Sequence, residues 1–206
     1  MEQLTEKHGP YEVVERLENL AAALGADPRT EHLQAGIEAA IDEIEASHKI
    51  WRRKRSRRVA ATGRLWYADE QLREPFMKLA RHVATETDGN REAPESKTLY
   101  PGKSASELIK PLGGDDQARE VRRVVDRLRT DPVVAAFAHH ADPIEQAQAR
   151  VQAEEARRAD IDLEVSKARL IMDRALDAAR RLYNATESEL LETLGPDRKA
   201  VRAFYA

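Results

Sequence analysis

The chain has 206 residues, no cysteine, 34% charged and only 5% aromatic residues, and a mean hydropathy of −0.67. The missing cysteine excludes disulfides, thiol nucleophiles and thiolate metal sites and fits a reducing, cytoplasmic setting; no 18-residue apolar run offers a membrane span, and no signal peptide is read at the N-terminus. The net charge of −3 conceals two opposed blocks: residues 1–47 carry eleven acids against three bases, and residues 46–68 carry eight bases and no acid.

Helix punctuation divides the chain. An Asp before a Pro places a capping carboxylate ahead of a residue with no N–H to strand, and this occurs at Asp27-Pro28, Asp131-Pro132 and Asp142-Pro143. Ser104 with Glu107, and Asp142 with Glu145, have the spacing of a capping box. Gly25 and Gly195 mark expected helix ends.

A first short helix is expected over 10–24, with Val13, Val14, Leu17, Leu20 and Leu24 on one side. A very long second helix follows over 28–87; Pro75 should kink it without ending it, because the apolar pattern continues through Phe76, Leu79 and Val83. The polar stretch 89–103 reads as a loop, either mobile or held by Leu99, Tyr100 and Pro101, and a single turn over 104–110 ends at Pro111. Leu112-Gly113-Gly114-Asp115 reads as a turn between helices, not a phosphate loop. Further helices are expected over 115–129, briefly over 132–139, at length over 143–194, and finally over 197–205.

The two long helices carry sustained 3-4 apolar spacing, the pattern of coiled-coil packing. The predicted fold is therefore all-α: an elongated antiparallel two-helix hairpin, with short helices packed at both ends. Each arm would be about 50 residues, or about 75 Å at ~1.5 Å per residue. Matching apolar positions suggests a register with Val83 opposite Ile144, Phe76 near Val151, Trp66 near Ile161, Trp51 near Leu176 and Ile44 near Tyr183.

The basic block is the main candidate site: Lys49, Arg52, Arg53, Lys54, Arg55, Arg57, Arg58 and Arg64. Like charges three or four apart on a helix repel, so the block calls for counter-charge. Arg55 and Arg58 fall on the packing seam, where Glu164, Asp173 and Asp177 of the facing helix are in reach. A second source is the acidic lobe of another copy, with Glu31, Glu38, Asp42, Glu43 and Glu45. A third is an external anion, nucleic acid or acidic lipid. Trp51, Trp66 and Tyr67 flank the arginines as base-stacking groups would, but they also fit helix-packing positions and are assigned to the core.

Glu45 and His48 have the Glu-x-x-His spacing of ferritin-like metal sites, without the second pair such a site needs. His139 and His140 are read as cations at a helix end. With no catalytic constellation and no cofactor motif, the sequence supports a non-catalytic scaffold or adaptor that self-associates or docks a protein. Its contacts would be the basic block and the 99–101 tip. Anion binding through the same arginines is the alternative, and a ferritin-like metal protein the third reading.

Overall fold

A computed structural model describes residues 3–109 and 114–205, and among them every regular element is helical. The order is α1 (Pro10–Ala26), α2 (Glu31–Glu86), α3 (Pro94–Leu99), α4 (Ala105–Leu108), α5 (Gly114–Thr130), a 3-10 helix (Pro132–His140), α6 (Ala141–Leu194) and α7 (Arg198–Ala203). The all-α expectation holds, and α2 and α6 are its long members.

The chain forms two compact units: Met1–Ser56 with Leu163–Ala206, and Arg57–Asp162. In each, a stretch of α2 packs against a stretch of α6, and short helices complete the core. In the first unit, Ile37 and Ile44 of α2 meet Met172, Leu176, Tyr183 and Leu190 of α6, covered by Leu17, Leu20 and Leu24 of α1 and Val201 of α7. In the second, Leu72, Phe76 and Leu79 join Ile144 and Val151, covered by Leu99 and by Val124, Leu128 and Phe137. Val133 lies outside that core and is exposed.

Local chemistry sets the boundaries. Asp131 accepts from the Val133 N–H and Asp197 from the Lys199 and Ala200 N–H groups, satisfying donors with no intrahelical partner. The Ser104–Glu107 capping box is formed in both directions. Gly195, at φ +83°, closes α6 in the left-handed conformation that favours glycine.

Four expectations are corrected. Gly25 does not stop α1, which continues to Ala26; its missing side chain leaves room for the Gln34 amide, with which a Cβ would clash. The second helix starts at Glu31, not Pro28: Thr30, wholly buried, donates its hydroxyl to the Leu24 carbonyl at 2.9 Å and so ties the end of α1 to the start of α2. Asp142 caps nothing, because α6 runs on directly from the 3-10 helix; Asp142 and Glu145 instead hold the Arg129 guanidinium, at 2.8 and 2.6 Å. The loop expected at 89–103 contains α3, started by Pro94 and closed by Arg123, whose guanidinium donates to the Thr98 and Leu99 carbonyls.

The helix register is also corrected. Under the expected register Glu164 would face Gly63 and Glu154 would face Arg73. Instead Glu164 holds Lys54, and Glu154 holds Arg64. Each pair is displaced by nine residues, and Asp162 with Arg58 by seven relative to the expected Leu65. A slide of about one heptad returns the same apolar stripe to the interface, so apolar matching alone does not fix the register. The expected Pro111 helix end and the Leu112–Asp115 turn fall on or run into residues 110–113, outside the described residues.

Candidate functional site

The basic block lies on α2, where all eight of its cations are helical. Five of them are engaged within the chain. Lys54 Nζ sits 2.7 Å from Glu164 Oε2, Arg58 Nε 2.7 Å from Asp162 Oδ1, and Arg64 Nε 3.4 Å from Glu154 Oε2. Arg55 lies over the Trp51 ring, 5.4 Å from its centroid, a favourable use of the ring's negative face. Arg57 is engaged as well. The counter-charges differ from the expected set, since Asp173 pairs with Arg169 and Asp177 with Arg180 along their own helix. Asp162 and Glu154 take their place because the register is displaced.

Lys49, Arg52 and Arg53 remain: exposed, with no ion-pair partner among the described residues. So do the neighbouring acids Glu31, Asp42, Glu43 and Glu45, while Glu38 accepts only from the neutral Gln34 amide, at 2.7 Å. Glu38, Asp42, Glu45, Lys49 and Arg52 follow one another at steps of four and three, which puts them on one face of α2. That face is acidic at one end and basic at the other. Beside it run Ala39, Glu43, Ala46, Ile50 and Arg53, with Ile50 53% exposed.

The Glu45–His48 pair gathers no further ligand among the described residues. His48 stacks on Trp51 at 5.7 Å and takes the Tyr11 ring edge-on at 5.4 Å, in a groove of about 400 Å³ between α1 and α2. Trp51 is partly buried against the first unit's core, as expected. Trp66 and Tyr67 are not core residues: they are 54% and 62% exposed, and with Val59 they form an apolar face on α2 in the second unit.

The 99–101 tip is held in place. Leu99 is wholly buried, Tyr100 packs on Phe76 at 6.1 Å between ring centroids, and only Pro101 is exposed. Burial pushes the Tyr100 phenol well above its ordinary range, and its hydroxyl has no hydrogen-bond partner among the described residues.

One cluster was not anticipated. His82, near the end of α2, meets His139 and His140, at the end of the 3-10 helix, with one ring nitrogen from each lying within 4.8 Å of the others. His82 Nδ1 is 3.0 Å from His140 Nε2, and the His139 and His140 ring centroids are 4.2 Å apart. Phe137 presses its ring edge-on against His82 at 5.0 Å, and Glu86 Oε1 lies 3.9 Å from His82 Nε2. Burial first, then the neighbouring His139 and His82, lowers the His140 pKa below its ordinary value. Adjacent histidines point apart on a regular α-helix, and nothing in the spacing ties His82 to residues far along the chain, so only the fold brings the three together. No protein-family model matches the chain, and no curated protein or solved structure is significantly similar to it.

Proposed function

We propose that the protein is a non-catalytic helical scaffold that self-associates through the exposed α2 face of residues 38–53. The observation that carries this reading is the unpartnered charge stripe itself, three acids followed by two bases at helical spacing. Such a stripe is complementary to its own reverse. A second copy laid antiparallel across it sets Asp42 and Glu45 against the Arg52 and Lys49 of the other chain, and the two-fold axis repeats every contact. Ala46 and Ile50 flank the stripe on either side of the position 47 axis, where small and apolar residues permit close approach. Exposed ion pairs are worth about 0–1 kcal/mol each, so the charges supply register and partner choice more than affinity. The compartment this reading assumes is the cytoplasm.

Polyanion binding through the same block has less support. Only Lys49, Arg52 and Arg53 remain unpaired, and exposed acids precede them on the same helix.

Light scattering on the eluting protein tests the reading. A dimer at about 50 mM salt that dissociates at about 500 mM is expected, because the Debye length shrinks severalfold. Asp42→Lys with Glu45→Lys should give a monomer, as should Lys49→Glu with Arg52→Glu, and mixing the two variants should restore a dimer. A monomer under all conditions, or variants that dimerise like the parent, would overturn it. Binding of single-stranded DNA at low salt by the monomer would favour the polyanion reading instead.

A further inference from the structure

We propose that His82, His139 and His140 form a binding site for a divalent late-transition-metal ion of the zinc class. The inference is independent of self-association, since all three residues belong to the unit Arg57–Asp162 and none lies on the 38–53 face.

Three imidazoles converge from two elements. One nitrogen of each ring lies within 4.8 Å of the other two. A tetrahedral ion bound by nitrogens at about 2.0–2.1 Å holds them about 3.3 Å apart, so small rotations of the rings suffice. The His82 Nδ1 to His140 Nε2 separation of 3.0 Å already approaches that value. Without an ion, two ring nitrogens at this distance must share a proton, because two facing lone pairs repel. A metal ion takes the proton's place and accepts both lone pairs. Imidazole is a borderline ligand that suits zinc, copper, nickel and cobalt, and the absence of carboxylates among the three ligands disfavours calcium and magnesium.

The surroundings are arranged as a ligand shell requires. Binding through His82 Nδ1 leaves Nε2–H free to donate, and the exposed Glu86 carboxylate, 3.9 Å away, comes within hydrogen-bond reach on a small rotation of its side chain. A carboxylate behind a ligating histidine fixes its tautomer and raises its basicity. Phe137, buried in the second unit's core, packs edge-on against the His82 ring and restricts its rotation. His139 is exposed, so a fourth coordination position faces solvent. Three protein ligands with one open position is the arrangement that leaves a bound ion accessible to water or to a small ligand.

The test uses the untagged full chain, stripped with chelator and titrated calorimetrically with Zn²⁺. One ion per chain is expected. His82→Ala, His139→Ala and His140→Ala should each weaken binding by well over about tenfold, Glu86→Gln by up to about tenfold, and the exposed His32→Ala not at all. Imidazole resonances of the parent protein, followed by NMR during the titration, keep the test open should a variant fail to fold. His82, His139 and His140 should shift together at one equivalent while His8, His32 and His48 stay in place. No uptake by the parent protein, undiminished uptake by a folded His82→Ala, or shifts confined to the other three histidines would each overturn the site.

Discussion

In the unit Arg57–Asp162 two cations of α2 reach carboxylates across the helix pair, Arg58 with Asp162 and Arg64 with Glu154, and Arg129 of α5 is gripped by both Asp142 and Glu145. In the unit Met1–Ser56 with Leu163–Ala206, the same α2 helix presents Lys49, Arg52 and Arg53 to solvent beside Asp42, Glu43 and Glu45, while Lys54 reaches across to Glu164. The tryptophans divide the other way, although both units expose other large apolar side chains, Tyr11, Leu170 and Ile171 in the first and Val59 in the second. The second unit leaves Trp66 and Tyr67 outside, whereas the first tucks Trp51 under His48 and Arg55. A charge count along the sequence treats the block at 46–68 as one object. The fold divides it into a part consumed internally and a part left available.

The comparison can be broken hardest at the cores. Phe76 is wholly buried in the second unit, and Phe76→Ala should cost about 3–5 kcal/mol, measured by urea unfolding followed by circular dichroism. In the first unit the link between α1 and α2 rests on a buried hydroxyl, and Thr30→Val should cost about 1–3 kcal/mol by leaving the Leu24 carbonyl without that donor. A matched pair of arginine variants addresses the charge difference directly. Arg64→Ala should lose up to about 1 kcal/mol, discounted because its side chain is half exposed, while Arg52→Ala should stay within about 0.5 kcal/mol and weaken only self-association. Equal losses for the two would erase the distinction.

The smallest expected effect concerns Glu155, whose pKa is raised by burial first and then by the nearby Asp69 and Asp115. A carboxyl whose folded pKa lies above its unfolded value favours the folded state while protonated. Stability is therefore lost as pH rises through the folded pKa. Glu155→Gln should raise the melting temperature at pH 7, and the gain should disappear in acid, where the parent is protonated too. A melting temperature unchanged at both pH values would remove this strain from the second unit.

Much of the helix order was legible because capping chemistry is local. Asp131 and Ser104 with Glu107 act on N–H groups two or three residues away, so sequence alone placed those starts, whereas the cap supplied by Asp197 emerges from the structure. Asp142 has the same signature and a different role, because Arg129 competes for its carboxylate from another helix. Gly25 failed as a stop signal for a similar reason: what it accommodates is Gln34, a neighbour in space. The register missed by a heptad because apolar periodicity repeats at that interval, and only specific ion pairs break the tie. The basic block was visible as composition, but which cations remain unpaired depends on that register. The histidine site was illegible, since its three ligands share neither a helix nor a motif spacing.

The exposed face of Val59, Trp66 and Tyr67 has a consequence for the choice of salt. Sodium chloride screens the charge stripe of the first unit and should only dissociate the protein. Sulfate is excluded from apolar surface and strengthens its burial. Increasing sulfate should therefore first dissolve contacts made by charge and then, at higher concentration, drive new ones through the indole and phenol rings. A Trp66→Ser, Tyr67→Ser variant should keep the first phase and weaken the second, and the size of that loss gives the share of the second phase that this face carries.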